Sequence, residues 1–325
     1  MTTVLTKIQT EKADQFIGHG GAIFTLEPAY DAHLFYSGSS DNLVVEWNMK
    51  DQQQNKVVAK LPAKALALKY VQDRNLLLIG QSLGGIHVID LNKHEEIKLL
   101  QLHRQSIYDI QYLPEKECFW ALAGDGTFSV WSINDFSLIT ALKLCDKKVR
   151  SVDFNIILKE AAIGCGDGSI RIFDFETYEE KKLLKGHDDD FSVNTVCYHP
   201  NGKYFLSGSR DAYLNVWDIE NEYALIHHIP AHNYAIYSIV FSPDKKFFAT
   251  GSRDKTIKIW NARLNDGVGQ AEKVELLLRI EHSKHEGHTH SVNKLLWSHF
   301  DNYLISTGDD KAIMLWKIAS IINPE

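Results

Sequence analysis

The feature that most constrains the fold is a pattern that recurs seven times along the 325 residues of the chain. In each copy a turn of small residues precedes a short run of β-type residues, and the run ends in an aromatic or bulky residue. These final residues are Trp47, Ile89, Trp131, Phe173, Trp217, Trp260 and Trp316. Successive differences between their positions are 42, 42, 42, 44, 43 and 56. A regular period of this length indicates repeated supersecondary units that stack on one another.

Two polar positions recur in register with the final bulky residue. An aspartate stands six residues before it, where its carboxylate can accept backbone N–H groups of a tight turn. These aspartates are Asp41, Asp125, Asp167, Asp211, Asp254 and Asp310. A histidine stands about 28 to 30 residues before the bulky residue. These histidines are His19, His103, His187, His232 and His288.

The stretches between these positions are apolar, either alternating with polar residues or continuous, which is typical of β-strands. A period of roughly 40 to 45 residues with this ending matches one four-stranded propeller blade per repeat. The sequence therefore predicts an all-β fold, a single seven-bladed β-propeller of four-stranded antiparallel blades. No stretch has a helical period, so we expect no helix longer than a turn or two.

These motifs resemble those of the WD-repeat β-propeller family over nearly the whole chain. The strongest copies are 186–218, which ends in Val-Trp-Asp, and 231–261, which contains Ser-Pro-Asp and Gly-Ser-Arg-Asp. The resemblance implies seven radial sheets around a central channel. It also implies that each repeat supplies the outer strand of one blade and the inner three strands of the next.

The register of the repeats predicts how the chain divides. The propeller is expected over residues 12–318, followed by a C-terminal tail at 319–325. The N-terminal segment 1–11 is expected to contribute to the strand that closes the ring, which lies somewhere within 3–17. The long last interval places an insertion within 262–286, and Val274–Ile280 is expected to form the outer strand of the sixth blade. Whether the inserted loop is functional stays open.

Composition excludes several classes of protein. The chain is 44% hydrophobic and carries a formal net charge of -7, so a general nucleic-acid binder is not expected. No apolar stretch approaches the roughly 20 residues of a membrane span, and the N-terminus lacks the apolar core of a secretory signal. Four cysteines stand apart in the sequence without a Cys-x-x-Cys pair: Cys118, Cys145, Cys165 and Cys197. This spacing favours a reducing, cytoplasmic location and argues against disulfides or a cysteine zinc site.

Sets of His, Ser or Thr, and Asp invite a hydrolase interpretation. A catalytic triad is needed once, whereas four repeats carry such a set together with a Trp, so we expect structural hydrogen-bonded tetrads. The sets are His19/Ser37/Asp41/Trp47, His187/Ser207/Asp211/Trp217, His232/Thr250/Asp254/Trp260 and His288/Ser306/Asp310/Trp316. Ala121 takes the hydroxyl position of the third repeat, so that network is expected to be incomplete. The second and fourth repeats, with Leu61 and Cys145 in place of His, are expected to rely on packing.

No metal or cofactor site is predicted. Four histidines lie close together in the segment 281–290, and a transition-metal site there is conceivable. His288, however, is assigned to a tetrad, and no cysteine or paired carboxylate completes a tetrahedral ligand set. We expect a solvated loop, and no catalytic residues are assigned.

The expected function is a non-enzymatic scaffold for protein partners, which dock at the mouth of the channel. The resemblance implies hot spots five residues after each His position and directly before each turn Asp. The resulting candidates are Phe24, Tyr108, Arg150, Asn194, Arg210, Tyr237, Arg253, Asn293 and Asp309. Arg and aromatic side chains favour an acidic or phosphorylated peptide segment. Single-stranded nucleic-acid binding on the same face, a propeller enzyme, and arginines that merely pair with nearby acids such as Asp309 are the alternatives.

Overall fold

The computed structural model describes residues 7–51, 55–262 and 274–321. Seven four-stranded antiparallel sheets form the blades of a ring, which confirms the predicted fold class. Helix in the described part is limited to a 3-10 turn at Pro114–Lys116 and a single α-helical turn, α1 (His282–His285). No helix in those three ranges is long and apolar enough to cross a bilayer.

The strands of blades 1 to 4 follow one another along the chain after β1 (Lys7–Phe16). Blade 1 contains β2 (Ile23–Pro28), β3 (Leu34–Ser39), β4 (Leu43–Asn48) and β5 (Lys56–Lys60). Blade 2 contains β6 (Ala65–Val71), β7 (Leu76–Gln81), β8 (Gly85–Asp90) and β9 (Glu95–Gln101). Blade 3 contains β10 (Ile107–Leu113), β11 (Cys118–Ala123), β12 (Thr127–Ser132) and β13 (Leu138–Lys143). Blade 4 contains β14 (Val149–Asn155), β15 (Glu160–Cys165), β16 (Ser169–Asp174) and β17 (Glu180–Lys185).

The remaining strands form blades 5 to 7. Blade 5 contains β18 (Val193–Tyr198), β19 (Tyr204–Ser209), β20 (Tyr213–Asp218) and β21 (Ala224–Pro230). Blade 6 contains β22 (Ile236–Phe241), β23 (Phe247–Ser252), β24 (Ile257–Asn261) and β25 (Leu276–Ile280). Blade 7 contains β26 (Val292–Trp297), β27 (Tyr303–Gly308), β28 (Ile313–Ile321) and the N-terminal β1.

The apolar core lies between neighbouring blades. One cluster joins Phe35 and Trp47 of blade 1 to Ile305 and Leu315 of blade 7, and comparable clusters fill the other interfaces. The second strand of a blade is covered on both faces, and all six residues of β3, β7, β11, β15 and β19 are buried. The continuous apolar runs in the sequence belong to such strands.

The ring is closed by the N-terminal strand, as expected. β1 pairs antiparallel with β28, from Lys7 opposite Ile321 to Phe16 opposite Ile313. The Phe16 ring also packs edge-on against Trp47 of blade 1, with centroids 5.6 Å apart. β28 thus continues past residue 318, where the sequence placed the end of the ring. In blade 6 the outer strand lies within the predicted Val274–Ile280, whereas most of the predicted insertion, 263–273, falls outside the described residues.

Side chains of one blade hold the innermost strand of the next. Asp109 Oδ2 accepts the backbone N–H of Val152 at 2.9 Å, and Asp153 Oδ2 accepts that of Tyr198 at 2.7 Å. Glu27, Ser151 and Ser238 accept N–H groups of the following blade in the same way. An innermost strand has a sheet partner on one side only, so these acceptors satisfy donors that would otherwise be unpaired.

The four predicted tetrads are present. In blade 1 the Ser37 hydroxyl accepts the Trp47 Nε1–H at 2.7 Å and lies 2.7 Å from His19 Nε2, while His19 Nδ1 lies 2.9 Å from Asp41 Oδ2. The sets centred on Ser207, Thr250 and Ser306 have the same connections, with distances of 2.8 to 3.0 Å. All four hydroxyl residues are fully buried. They are structural cross-links between strands, as expected.

The expectation of an incomplete network in blade 3 is wrong. Ser129 of β12 lies directly opposite Ala121 of β11 and supplies the missing hydroxyl from the neighbouring strand. Its Oγ accepts the Trp131 Nε1–H at 2.8 Å and lies 2.8 Å from His103 Nε2. The contact from His103 Nδ1 to Asp125 Oδ2 is longer, at 3.3 Å. The sequence signal was a serine two residues before Trp131, on the same face of the strand.

Blade 2 replaces the tetrad by apolar packing, as its sequence indicated. Leu61, Ile79 and Ile89 occupy the His, hydroxyl and Trp positions and share one buried cluster. In blade 4, Cys145, Ile163 and Phe173 occupy these positions within another cluster. A blade can therefore be assembled without any of these hydrogen bonds.

Deleting residues 1–17 removes β1 and exposes the edge of β28, so the melting temperature should fall and aggregation should increase. Deleting residues 1–6 is the matched control because it leaves β1 whole. Differential scanning calorimetry with light scattering measures both effects. A melt of the longer deletion equal to that of the control would show that β1 does not secure the ring.

Ser129→Ala should lower the free energy of unfolding by about 1 to 3 kcal/mol, because the buried ring nitrogens of Trp131 and His103 lose their shared hydrogen-bond partner. Adding Ala121→Ser should restore part of the loss by returning the hydroxyl to the second strand. The control is Ser137→Ala, which affects an exposed hydroxyl of the same blade. Urea denaturation measures all four proteins, and a double variant no more stable than Ser129→Ala would contradict this account of the network.

Candidate functional site

Seven side chains, six of them candidates named from the sequence, line one cavity of about 290 Å³ at the ring axis. Each is the second residue of the innermost strand of its blade. They are Phe24, Leu66, Tyr108, Arg150, Asn194, Tyr237 and Asn293. Because the blades are arranged radially and their innermost strands are in equivalent positions, the second residue of each innermost strand faces the ring axis.

A β-bulge presents each of these residues. The pairing of the first two strands shifts between residues 23 and 25 in blade 1, and at the matching residues of every other blade. The skipped residue in each case is the one that lines the cavity. Bulges re-aim side chains and commonly lie beside functional sites. This sevenfold feature was not recognised in the sequence.

Arg210 and Arg253 lie beside the cavity, in the turns between the second and third strands. Their backbone N–H groups donate to Ser192 and Ala235, which directly precede the innermost strands. The two turns therefore stand at the same mouth as the bulged residues, and both arginine side chains are exposed. Asp309, at the equivalent position of blade 7, does line the cavity.

The three arginines rest on aromatic rings. The guanidinium carbon of Arg150 lies 4.5 Å from the centroid of Tyr108. Arg210 lies 5.7 Å from the ring of Phe191, and Arg253 lies 5.9 Å from the ring of Tyr234. Stacking of this kind orients a guanidinium and leaves its N–H groups available. Phe191 and Tyr234 were missed in the sequence, where each stands two residues before an innermost strand.

Neighbouring acids do not neutralise these arginines. Within the described ranges, no ion pair involves Arg150, Arg210 or Arg253. Asp309 instead accepts the Asn293 side-chain N–H at 2.8 Å. The interpretation of these arginines as partners of nearby acids is therefore wrong.

Positive charge accumulates at this part of the mouth. Burial, together with the charges of Arg150 and Arg210, lowers the pKa of Lys148 to about 8. Burial also lowers the pKa of Arg150, against the opposing influence of Tyr108 and Tyr237. Burial is the main cause of the low pKa of Lys148, and the positive charges of Arg150 and Arg210 add to it.

Two of the predicted residues also have structural contacts. The Asn194 side-chain N–H donates to the carbonyl of Ile236 in blade 6, and that of Asn293 donates to Ile23 in blade 1, both at 3.0 Å. These asparagines join neighbouring blades at the mouth. Phe24, Tyr108 and Tyr237 are half-buried and offer aromatic surface to the cavity.

The channel below the mouth holds acids that are already engaged. Glu27 pairs with Lys69 at 3.1 Å, while Asp109 and Asp153 accept backbone N–H groups as described above. Burial raises the pKa of Asp153 to about 6. Carboxylates that hold the ring together in this way are poorly placed to act as a general acid and base.

The histidine-rich segment does not gather its rings at one point. His282 Nδ1 bonds to the Gly287 carbonyl, His285 accepts the backbone N–H of Glu281, and His288 belongs to its tetrad. Among the described residues, the group whose potential ligand atoms lie close together, within 4.8 Å of one another, is instead Cys145, Cys165 and Asp167. The fold brings together two of the cysteines that the sequence spacing had suggested were remote.

Comparison with known proteins agrees with the ring of blades. The profile of the family described as WD40 (WD domain, G-beta repeat) matches residues 10–48, 178–218, 223–261 and 280–317. The chain thus carries WD40 repeats within a seven-bladed propeller ring.

The chain is 20% identical to eukaryotic translation initiation factor 3 subunit I of Nematostella vectensis, over 68% of this chain and 87% of that protein. It is 22% identical to a guanine nucleotide-binding protein subunit beta of Zea mays, over 64% of this chain and 58% of that protein. It is 23% identical to pre-mRNA-processing factor 19 of Bos taurus, over 50% of this chain and 32% of that protein. The chain thus spans well under two thirds of the last two relatives.

The low pKa of Lys148 has a consequence for stability. The folded state loses this proton near pH 8 whereas an unfolded lysine keeps it to about 10.5, so stability should rise across that interval. In Lys148→Gln this rise should be smaller, whereas Lys203→Gln, at an exposed position on the opposite face, should keep it. Denaturant unfolding below pH 8 and at higher pH measures the difference. Identical pH profiles for wild type and Lys148→Gln would show that folding does not lower the pKa of Lys148.

Proposed function

We propose that this protein is a non-enzymatic scaffold that binds an acidic or phosphorylated segment of a partner protein at the channel mouth. The observation that carries the proposal is the set of three ring-stacked arginines, Arg150, Arg210 and Arg253, that have no acidic partner among the described residues. Arginine pairs with carboxylates and phosphates through two parallel hydrogen bonds. The repulsion felt by Lys148 supplies a further reason for an anion to bind there.

The mouth is also preorganised. Its side chains project from bulges in a closed ring of sheets, and the aromatic rings below the arginines restrict their rotamers. A site that is ordered before binding loses less conformational entropy when a partner arrives. Phe24 and Tyr237 flank the cavity and are placed to pack apolar side chains of the same segment.

The names of two relatives agree with a role in assemblies, since one is a subunit of an initiation factor and the other a beta subunit. By analogy we propose that this chain also works as a component that binds other proteins. We propose a cytoplasmic location for this activity because the four cysteines stand apart in the sequence without a Cys-x-x-Cys pair, a spacing that favours a reducing compartment. A membrane partner is not part of the proposal.

Single-stranded nucleic acid is the second candidate for this face, because its phosphates and bases suit arginines and aromatic rings. The net charge of -7 disfavours it. An enzymatic role is the weaker alternative, since the channel carboxylates are used by the backbone. Binding of single-stranded RNA is one outcome of the test below.

Replacing Arg210 and Arg253 by Glu should weaken binding of a labelled peptide of Glu, Leu and phosphoserine by at least about 10-fold. Loss of a hot-spot residue typically costs roughly 2 kcal/mol or more. The triple variant with Arg150→Glu should abolish binding without altering the melt. Fluorescence anisotropy gives the affinities, and a matched peptide with Lys in place of Glu and Ser in place of phosphoserine should not bind.

The control variant reverses Lys203, Lys245 and Lys246, which are exposed in turns at the opposite end of the blades and change the net charge equally. It should bind the acidic peptide normally. If both triple variants weaken binding equally, the effect is net charge and not this site. Tighter binding of single-stranded RNA than of the peptide at physiological salt would favour the second candidate.

A further inference from the structure

A second cluster of reactive side chains lies in blade 4, where the loop between β13 and β14 meets the turn after β15. The sulfurs of Cys145 and Cys165 and a carboxylate oxygen of Asp167 all lie within 4.8 Å of one another. Cys145 is partly exposed in the loop before β14, Cys165 is the buried last residue of β15, and Asp167 is half-buried in the turn. None of these residues belongs to the proposed binding face.

The other blades show what these positions ordinarily do. Cys145 stands at the histidine position of the tetrads, and Asp167 is the turn aspartate. Cys165 stands where blades 1, 5 and 6 have a serine whose hydroxyl accepts the backbone N–H of that aspartate. The serines are Ser39, Ser209 and Ser252. Blade 4 therefore has cysteine sulfurs in place of the histidine ring and the serine hydroxyl of the other blades, and it keeps the carboxylate of the turn aspartate.

Packing alone does not account for this exchange. Blade 2 also lacks the tetrad, and it replaces histidine and aspartate by Leu61 and Leu83. A fully apolar solution is thus available to this fold at the same place. Blade 4 retains Asp167, whose Oδ1 accepts the backbone and hydroxyl donors of Ser169 at 3.1 and 2.6 Å. The result is a fixed carboxylate facing two thiols.

The guanidinium of Arg171 provides positive charge close to the cluster. Arg171 of β16 interacts electrostatically with both Cys165 and Asp167. One of its terminal nitrogens pairs with Glu180 at 2.7 Å, while its buried Nε has no hydrogen-bond partner among the described residues. Two thiolates and one carboxylate around a divalent cation leave one net negative charge, which this guanidinium, already paired with Glu180, would offset in part.

We propose that Cys145, Cys165 and Asp167 form a three-ligand site for a thiophilic divalent cation of the zinc class. Zinc binds cysteine sulfur at about 2.3 Å and carboxylate oxygen at about 2.0 to 2.2 Å. Ligand atoms around a tetrahedral ion are accordingly about 3.5 to 3.8 Å apart, so modest side-chain rotation closes this group around a metal. The two thiols release their protons as the metal binds, and solvent reaches the fourth position past Cys145.

The full chain, reduced and freed of metal with a chelator, is titrated with Co²⁺ as a spectroscopic probe and then with Zn²⁺. The site predicts one equivalent of Co²⁺ with a thiolate-to-cobalt charge-transfer band and visible bands of tetrahedral geometry. Zn²⁺ should displace the cobalt, and native mass spectrometry should show one bound ion. The peptide affinity of the mouth is measured separately, so failure of either proposal is distinguishable.

Cys145→Ser and Asp167→Asn should each weaken Co²⁺ binding by more than about 10-fold, with circular dichroism confirming that both variants fold. Cys118→Ala and Cys197→Ala are the matched controls, because they remove the two cysteines outside the cluster and should leave the band unchanged. Absence of a stoichiometric charge-transfer band in the folded wild type would overturn the proposal. So would a band that survives Cys145→Ser, or a Cys145–Cys165 disulfide formed by mild oxidation in a protein that binds no Zn²⁺.

Discussion

The innermost strands of the blades have backbone N–H groups with no sheet partner, and the ring is held together where side chains of the preceding blade accept hydrogen bonds from them. Asp109 and Asp153 do so for Val152 and Tyr198, and serines do so elsewhere. These bonds join neighbouring blades, and the bulged residues of the seven blades line one cavity at the mouth. The channel carboxylates serve the ring, as do Asn194 and Asn293 at the mouth, whereas the three arginines of the mouth have no ion-pair partner among the described residues.

The tetrads act within blades and are replaceable, which explains their uneven distribution. Blade 2 packs Leu61, Ile79 and Ile89 in their place, and blade 3 draws its hydroxyl from the opposite strand. Because the ring does not need a tetrad in every blade, blade 4 is free to use the same position for other chemistry. The loop that carries Cys145 continues through Lys148 to Arg150, so the proposed metal site and the binding face share one short segment.

Much of the fold could be predicted from the sequence because the repeat period, the turn aspartates and the strand patterns are local features. Closure by the N-terminal strand was expected from the register that the resemblance to WD-repeat propellers implies, and it covers a sheet edge. What escaped prediction depends on contacts across strands. Ser129 acts because it lies opposite Ala121, and Cys145 meets Cys165 because a turn returns the chain to the loop between blades. The bulges, and the aromatic rings packed against Arg210 and Arg253, also depend on contacts between strands and could not be predicted. The sequence did predict most of the residues at the mouth.

The central claim is that the mouth, with its stacked arginines, is where a partner segment binds. Hydrogen–deuterium exchange of the intact protein, with and without the phosphoserine peptide, tests it most directly. The account predicts slower exchange confined to the innermost strands and turns around Arg150, Arg210 and Arg253. Protection of the outer strands, such as β13 or β17, with an unchanged mouth would contradict it.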